Sequence, residues 1–208
     1  CPQIGYVSND KVKEGEIVVK MPHMVTFYWG KREQTLKSTK ENFKDGWYYT
    51  QDIGRIDSEG KLSIIDRKSD LAELYVDGRS EWIPVSPIED LFLSKSNLFK
   101  NIYMHGDRAQ SFLVAVVVPK NGQKVTHHQI FHEIVRIGRE SKLKKSEIPR
   151  AVIISDHEWT PESGELSQMM KLKRGNLLKK FKMEIDQEYA RLNTLDEEKE
   201  KIAKDHDF

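Results

Sequence analysis

Residues 46–70 read GWYYTQDIGRIDSEGKLSIIDRKSD, and this single run strings together an aromatic cluster, an acid, a tight turn and a basic pair. Asp57-Ser58-Glu59-Gly60 separates two short β-prone runs, residues 51–56 and 61–66. It ends in the glycine that a four-residue turn favours, so the stretch predicts a hairpin. Asp52 stands at the entrance, behind Trp47, Tyr48 and Tyr49. At the exit the apolar run Leu62, Ile64, Ile65 changes abruptly to Asp66-Arg67-Lys68. Taken singly, each part is ordinary: an acid that caps a turn, a basic pair at a solvated strand end.

The totals around this stretch describe a globular chain. With 208 residues, 38% hydrophobic and 32% charged, it has the material for one or two domains with a buried core. The 34 basic and 33 acidic side chains leave a formal charge of +1, so no global field draws the chain to nucleic acid or to an acidic partner. A single cysteine, Cys1, forms no internal disulfide, which fits a reducing compartment. No apolar run approaches the roughly 18 residues that a membrane span needs, and no signal peptide precedes the first strand. The chain starts at Cys1 inside strand-forming sequence, which is the expectation for a fragment of something longer.

Upstream of the hairpin, residues 15–20 form a compact strand signal that Pro22 limits, and residues 31–45 are polar and Lys-rich, a helix or loop. Downstream, residues 71–81 read as a loop. Residues 84–94 then predict a helix, with Ser86 as its cap, Pro87 in the first turn and Glu89 and Asp90 at the positive end. Residues 99–105 and 112–118 are strand candidates. The second, FLVAVVV, is apolar throughout and therefore central, covered on both faces. A helix follows from about Thr126, then a third strand at residues 151–155. His128 and His132 lie one helical turn apart, but without an HExxH order or a third ligand they read as a solvated helix face rather than a metal site.

Residues 159–174, WTPESGELSQMMKLKR, form a turn-rich loop leading into a helix whose apolar positions are Leu177, Leu178, Phe181, Ile185 and Tyr189. By itself the basic helix is a charged outer face. Residues 193–208, rich in Glu, Lys and Asp, read as a solvated helix end or a frayed tail.

The order of the parts says more than any one of them. GW, T-x-D, a tight turn, then I-I-D-R-K resembles the adenylate-forming superfamily, in its long-chain fatty acyl-CoA synthetase branch. Adenylation domains of carboxylic acid reductases are similar. The run GEIVVKMPHMVTFYWG (residues 15–30) resembles a strand pattern of the same family, and WTPESGELSQMMKLKR resembles its closing W-T-P-E-N-G-x-x-T-x-x-x-K-L-K-R motif. Two departures stand out. Gln51 occupies the position of the family's TGD glycine, which allows φ above zero, and residues 71–84 carry Glu73 in place of a lysine and separate Gly78 from Glu81 by two residues.

The resemblance implies an α+β fold: residues 1–65 as the β-rich end of a large domain, 66–192 as a small mobile C-terminal domain with a short sheet covered by helices, and 193–208 as a charged tail. It implies that Asp52 accepts hydrogen bonds from the ATP ribose, that Arg67 sits near the nucleotide, and that Asp66 with Lys68 forms a hinge. Lys171 would be the lysine of the adenylation step, and Gly78 and Glu81 would lie on the CoA side. The implied reaction is ATP-dependent activation of a fatty acid as acyl-adenylate and its transfer to CoA. ATP, CoA and Mg2+ are the implied cofactors, the metal's ligands lying outside this chain together with the phosphate-binding loop, which has no counterpart here. The same reading places the protein in the cytoplasm or at the cytosolic face of an organelle membrane, with membrane association only through the absent region. Two alternatives stand beside it: a non-catalytic nucleotide-binding or interaction module of the same fold, and the adenylation domain of a carboxylic acid reductase.

Overall fold

A computed structural model describes residue 6 and residues 13–30, 32–120 and 125–205; the readings that fall on residues 1–5 and 7–12 and on the last three residues of the tail lie outside them. The chain divides into two compact units between Leu71 and Ala72.

The first unit is an antiparallel sheet of β1 (Lys13–Val19), β2 (Phe43–Lys44), β3 (Trp47–Ile56) and β4 (Leu62–Arg67), with one helix, α1 (Glu33–Asn42), ahead of β2. β3 is its long central member, paired with the other three strands. The expected hairpin is β3–β4. Its turn is tied by Asp57, whose Oδ1 accepts from the amides of Glu59 and Lys61, both at 2.9 Å. The polar stretch of residues 31–45 takes the helical option as α1.

The second unit opens where a loop is expected, and this is a correction: residues 71–84 form a hairpin, β5 (Leu71–Val76) and β6 (Arg79–Pro84). Asp77 and Gly78 have φ of 49° and 81°. A two-residue hairpin turn needs positive φ at both central positions, and Asp-Gly supplies it at the least cost. The two residues between Gly78 and Glu81 are the first pair of β6, and Ser80 Oγ donates to Glu73 Oε1 across the hairpin at 2.8 Å.

α2 (Val85–Lys95) follows, then β7 (Phe99–His105), β8 (Val114–Pro119), α3 (His127–Glu140), β9 (Ala151–Ile154) and α4 (Arg174–Asp205). β8 is the middle strand of three, antiparallel to β7 and parallel to β9. Its side chains alternate between two cores. Leu113, Ala115 and Val117 pack with α2, α3 and the β5–β6 hairpin, while Val114, Val116 and Val118 pack with Trp159 and the Leu177, Phe181, Ile185 and Tyr189 stripe of α4. This is the α+β arrangement, a short sheet covered by helices, and it explains why β8 is apolar at every position.

Helix starts differ in how legible they are. α3 is capped by Thr126, whose Oγ1 accepts from Gln129 N at 3.2 Å while Gln129 Oε1 accepts from Thr126 N at 2.8 Å. α2 has no side-chain cap. Ser86, expected in that role, is inside the helix and accepts instead from Arg174 Nη2 at 3.0 Å. Residues 193–205 continue α4, where Asp196 receives both terminal nitrogens of Arg150 at 2.8 and 3.0 Å.

Candidate functional site

In the first unit the aromatic-acid-basic stretch becomes one edge of the β3–β4 pair. Asp52 lies opposite Arg67 in register, and Arg67 Nε approaches Asp52 Oδ1 at 3.4 Å, with Arg67 itself mostly exposed. Asp52 is aimed by a kink in its own strand. Residues 50–52 of β3 together oppose Ile17 of β1, since Tyr49 pairs with Val18 and Ile53 with Glu16. Such a bulge turns a side chain out of the regular alternation. Thr50 Oγ1 fixes it, donating to Ile17 O at 2.8 Å and accepting from Asp52 N at 3.1 Å. At its apex Gln51 has φ of 65°, the left-handed conformation that a glycine adopts without strain. Gln51 Nε2 donates to Asn42 Oδ1 at the end of α1, 3.1 Å away.

Asp66 is buried and its Oδ1 accepts from Arg67 N at 2.8 Å. Lys68 reaches back to Glu16 Oε2 at 3.2 Å. The D-R-K run thus turns its acid inward and its two cations to opposite acids, and a short 3-10 turn, Lys68–Asp70, follows it.

In the second unit Lys171 sits on a small hairpin ahead of α4. Residues 165–167 run antiparallel to 171–173: Ser167 N donates to Lys171 O at 2.8 Å, Lys173 N donates to Glu165 O at 2.7 Å, and Leu166 bridges Leu172. Ser167 Oγ closes the turn by accepting from Lys171 N at 3.1 Å. Lys171 is exposed, as are Met169 and Met170 at the tip. The hairpin presents the Lys171 ammonium group to solvent on a hydrogen-bonded turn.

Two buried carboxylates anchor this region, Glu89, which the sequence marks only as an acid near the start of α2, and Glu165 on the hairpin itself. Glu89 of α2 is 3% exposed and takes a bidentate pair from Arg174, at 2.9 and 2.6 Å, together with Met104 N at 2.6 Å. Glu165 is 1% exposed and accepts from Lys180, Ser163 and His157. Burial alone would push the Glu165 carboxyl up; the hydrogen bonds from Lys180, Ser163 and His157 outweigh it and hold the group down at about 2. Hydrogen bonds to Asp156 and Glu165 raise His157 above its ordinary value. The sequence does hold a signal for the first acid, Arg174 closing the K-L-K-R run, but the identity of its partner emerges only in three dimensions.

Gly78 and Glu81 both lie on the β5–β6 hairpin. Gly78 forms its turn, and Glu81 Oε1 meets Lys144 Nζ at 3.4 Å. A cleft of about 630 Å³ opens beside it, with Arg79, Ser80, Lys144, Lys145 and Arg150 among its lining. On α3, His128 and His132 face each other with ring centroids 4.1 Å apart. Among the described residues no group of three or more His, Cys, Asp or Glu side chains is arranged to hold a metal ion, and no helix is long and apolar enough to cross a membrane.

No established family profile matches the chain. Individual proteins do. It is 30% identical over 212 residues to fatty acyl-CoA synthetase B of Dictyostelium discoideum and 33% identical over 209 residues to long chain acyl-CoA synthetase 8 of Arabidopsis thaliana, matches that take in 92% and 89% of this chain. The chain spans only 30% and 28% of those two proteins' lengths. In structure it superposes on the A domain of a carboxylic acid reductase from Segniliparus rugosus, solved in complex with AMP and a co-purified carboxylic acid. The TM-score is 0.79 at 25% identity, over 92% of this chain and 30% of that one.

Proposed function

The chain belongs with the adenylate-forming enzymes as a relative of their long-chain acyl-CoA synthetases, and on that premise we propose that it supplies the C-terminal part of an ATP-dependent fatty acyl-CoA synthetase. In the first half-reaction a fatty-acid carboxylate oxygen attacks the α-phosphorus of ATP, the α–β anhydride bond breaks, and pyrophosphate leaves with its electron pair. In the second, the CoA sulfur, having lost its proton, attacks the acyl carbonyl and AMP leaves.

The observation that carries this reading is the Lys171 hairpin, an exposed lysine held between two buried anchors in the run that resembles the family's closing motif. Anion approaches anion in the first half-reaction, and an ammonium group in fixed position offsets that repulsion as charge moves onto pyrophosphate. Asp52 has two acceptor oxygens for the ribose hydroxyls, and Arg67 beside it is placed for the nucleotide's charge. Asp66 and Lys68 are the hinge, whose backbone angles change between the half-reactions. On the CoA side, Gly78 forms the turn beside the cleft that Glu81 lines, and the cleft's cations suit a phosphate-bearing substrate. Mg2+ arrives with the phosphates of ATP, its protein ligands lying outside these residues. The site of action is the cytoplasm or a cytosolic membrane face.

The test uses the product of the complete reading frame with a fatty-acid panel. Wild type is expected to form acyl-adenylate and acyl-CoA, and Lys171→Ala to lose the first while still converting supplied acyl-adenylate. A folded wild type that makes neither product refutes the synthetase reading. Gln51 in the left-handed glycine position favours a second reading, a nucleotide-binding module without catalysis, and AMP binding in the absence of turnover would establish it. Acyl-adenylate passed to a carrier-protein thiol but not to CoA would instead favour a reductase-type adenylation domain.

A further inference from the structure

Glu165 occupies a place where a leucine would pack. It is 1% exposed, next to Leu166, which has the same exposure and packs in the core with Trp159 and α4. Yet it is charged, and its oxygens are taken by three separate elements. Lys180 comes from the second turn of α4, His157 from the segment after β9, where its Nε2 lies 3.0 Å from Glu165 Oε1, and Ser163 from the preceding turn. Its main chain does a different job, since Glu165 O accepts from Lys173 N at 2.7 Å. Glu165 therefore connects the packed body of the unit to the strand that bears Lys171.

The tip of the hairpin offers little else to hold it, and at its base Asn176 Nδ2 donates to Gly164 O at 2.8 Å. Met169 and Met170 at the tip are 79% and 59% exposed, and Met170 takes φ of 59°. Leu166 fixes depth by packing but not direction, because apolar contact is non-directional. Hydrogen bonds from Lys180 and His157 fix the rotation of the strand that pairs with Lys171.

We propose that Glu165 is a positioning residue for Lys171, setting the direction of the hairpin through Lys180 and His157. The proposal rests on the reading that Lys171 serves adenylate formation; the anchoring itself does not. Two variants separate them. Glu165→Leu with Lys180→Met removes acid and base together, leaving no buried unpaired charge, and Glu165→Gln keeps an acceptor for both partners.

Amide exchange is read first, on the chain itself. In the double variant Lys173 and Ser167 amides are expected to exchange about tenfold faster or more while β8 amides hold and Tm stays within about 4 °C. In the complete protein kcat for adenylate formation is expected to fall about tenfold or more with KM for ATP within about twofold. Thioester formation from supplied acyl-adenylate should be unchanged, and Glu165→Gln should recover part of the loss. Unchanged amide exchange overturns the proposal, and so does an equal loss in both half-reactions. A wild type that forms no adenylate refutes the synthetase reading alone, and the amide exchange then still decides whether Glu165 directs the hairpin.

Discussion

Gln51 gives the most discriminating test of the first unit, because its backbone and its side chain pull stability in opposite directions. Its φ of 65° places an L-residue in the left-handed region, at a strain of about 1–2 kcal/mol. The 3.1 Å hydrogen bond to Asn42 returns part of this, about 0.5–1 kcal/mol for a partly buried neutral pair. Gln51→Ala keeps the strain and loses the bond, so it is expected to lower stability by about 0.5–1 kcal/mol. Gln51→Gly also loses the bond and gains chain entropy when unfolded, about 0.5–1 kcal/mol unfavourable, but it releases the strain. The two losses and the gain nearly cancel, leaving Gly close to wild type and above Ala by about 0.5–1 kcal/mol. That order inverts the preference at a regular strand position, where Ala exceeds Gly. Because the chain has two compact units, the assay is native-state hydrogen exchange read at β1 and β3 amides rather than a single global transition. An Ala variant as protected as the Gly variant, or more so, would show that residue 51 does not sit in the left-handed region and would remove the bulge argument for how Asp52 is aimed.

Three further outcomes are expected. Arg174→Met leaves the Glu89 carboxyl buried without its guanidinium, and urea unfolding should show a loss of about 3–5 kcal/mol, most of it restored by adding Glu89→Met. Gly138→Ala should destabilise α3 by about 1–2 kcal/mol despite alanine's higher helix propensity, because the new Cβ would lie 2.7 Å from Ile148 Cδ1 and Cγ1; thermal melts should find the same change neutral or favourable in an Ile148→Ala background. For pH, Glu165 is depressed from 4.5 to about 2, so its contribution is complete above 4.5 and lost as pH falls from there toward 2. His157 is raised, so its contribution is complete below the ordinary histidine value and lost as pH climbs through the raised one. Melting curves of wild type minus Glu165→Gln should therefore fall away on the acid side, and those of wild type minus His157→Gln on the alkaline side; a flat difference in either window contradicts the assigned network.

How much of this was legible in sequence follows from the range of the interaction that carries each feature. β3–β4, β7, β8 and α3 depend on local signals: an Asp-Ser-Glu-Gly turn, apolar runs, and the Thr126 and Gln129 pair three residues apart. The β5–β6 hairpin is also written locally, as Asp77-Gly78 between alternating residues, whereas the family resemblance marks Glu73 and the Gly78–Glu81 spacing only as departures. The chain accommodates both changes at once, with Ser80 donating to Glu73. A substitution that looks like a defect against a family pattern can be a new cross-strand pair.

The site divides along the same line. Asp52 and Arg67 are fifteen positions apart, yet the turn fixes their register, so their pairing follows once the hairpin is recognised. Glu89 and Arg174 are joined across 85 positions, and nothing in the periodicity of α2 distinguishes an acid that satisfies a helix N-terminus from one that is buried beneath it. Glu165 is harder still, since a turn-rich loop predicts an exposed acid and burial is set by α4 closing over it. On the proposal above, Glu165 sets where Lys171 can point. The residue types at a site of this kind can be read from local motifs, but the precision of the site depends on buried charge pairs that those motifs do not show. A variant that keeps every motif residue and loses Glu89 or Glu165 is therefore expected to look intact in sequence and to have its lysine misplaced.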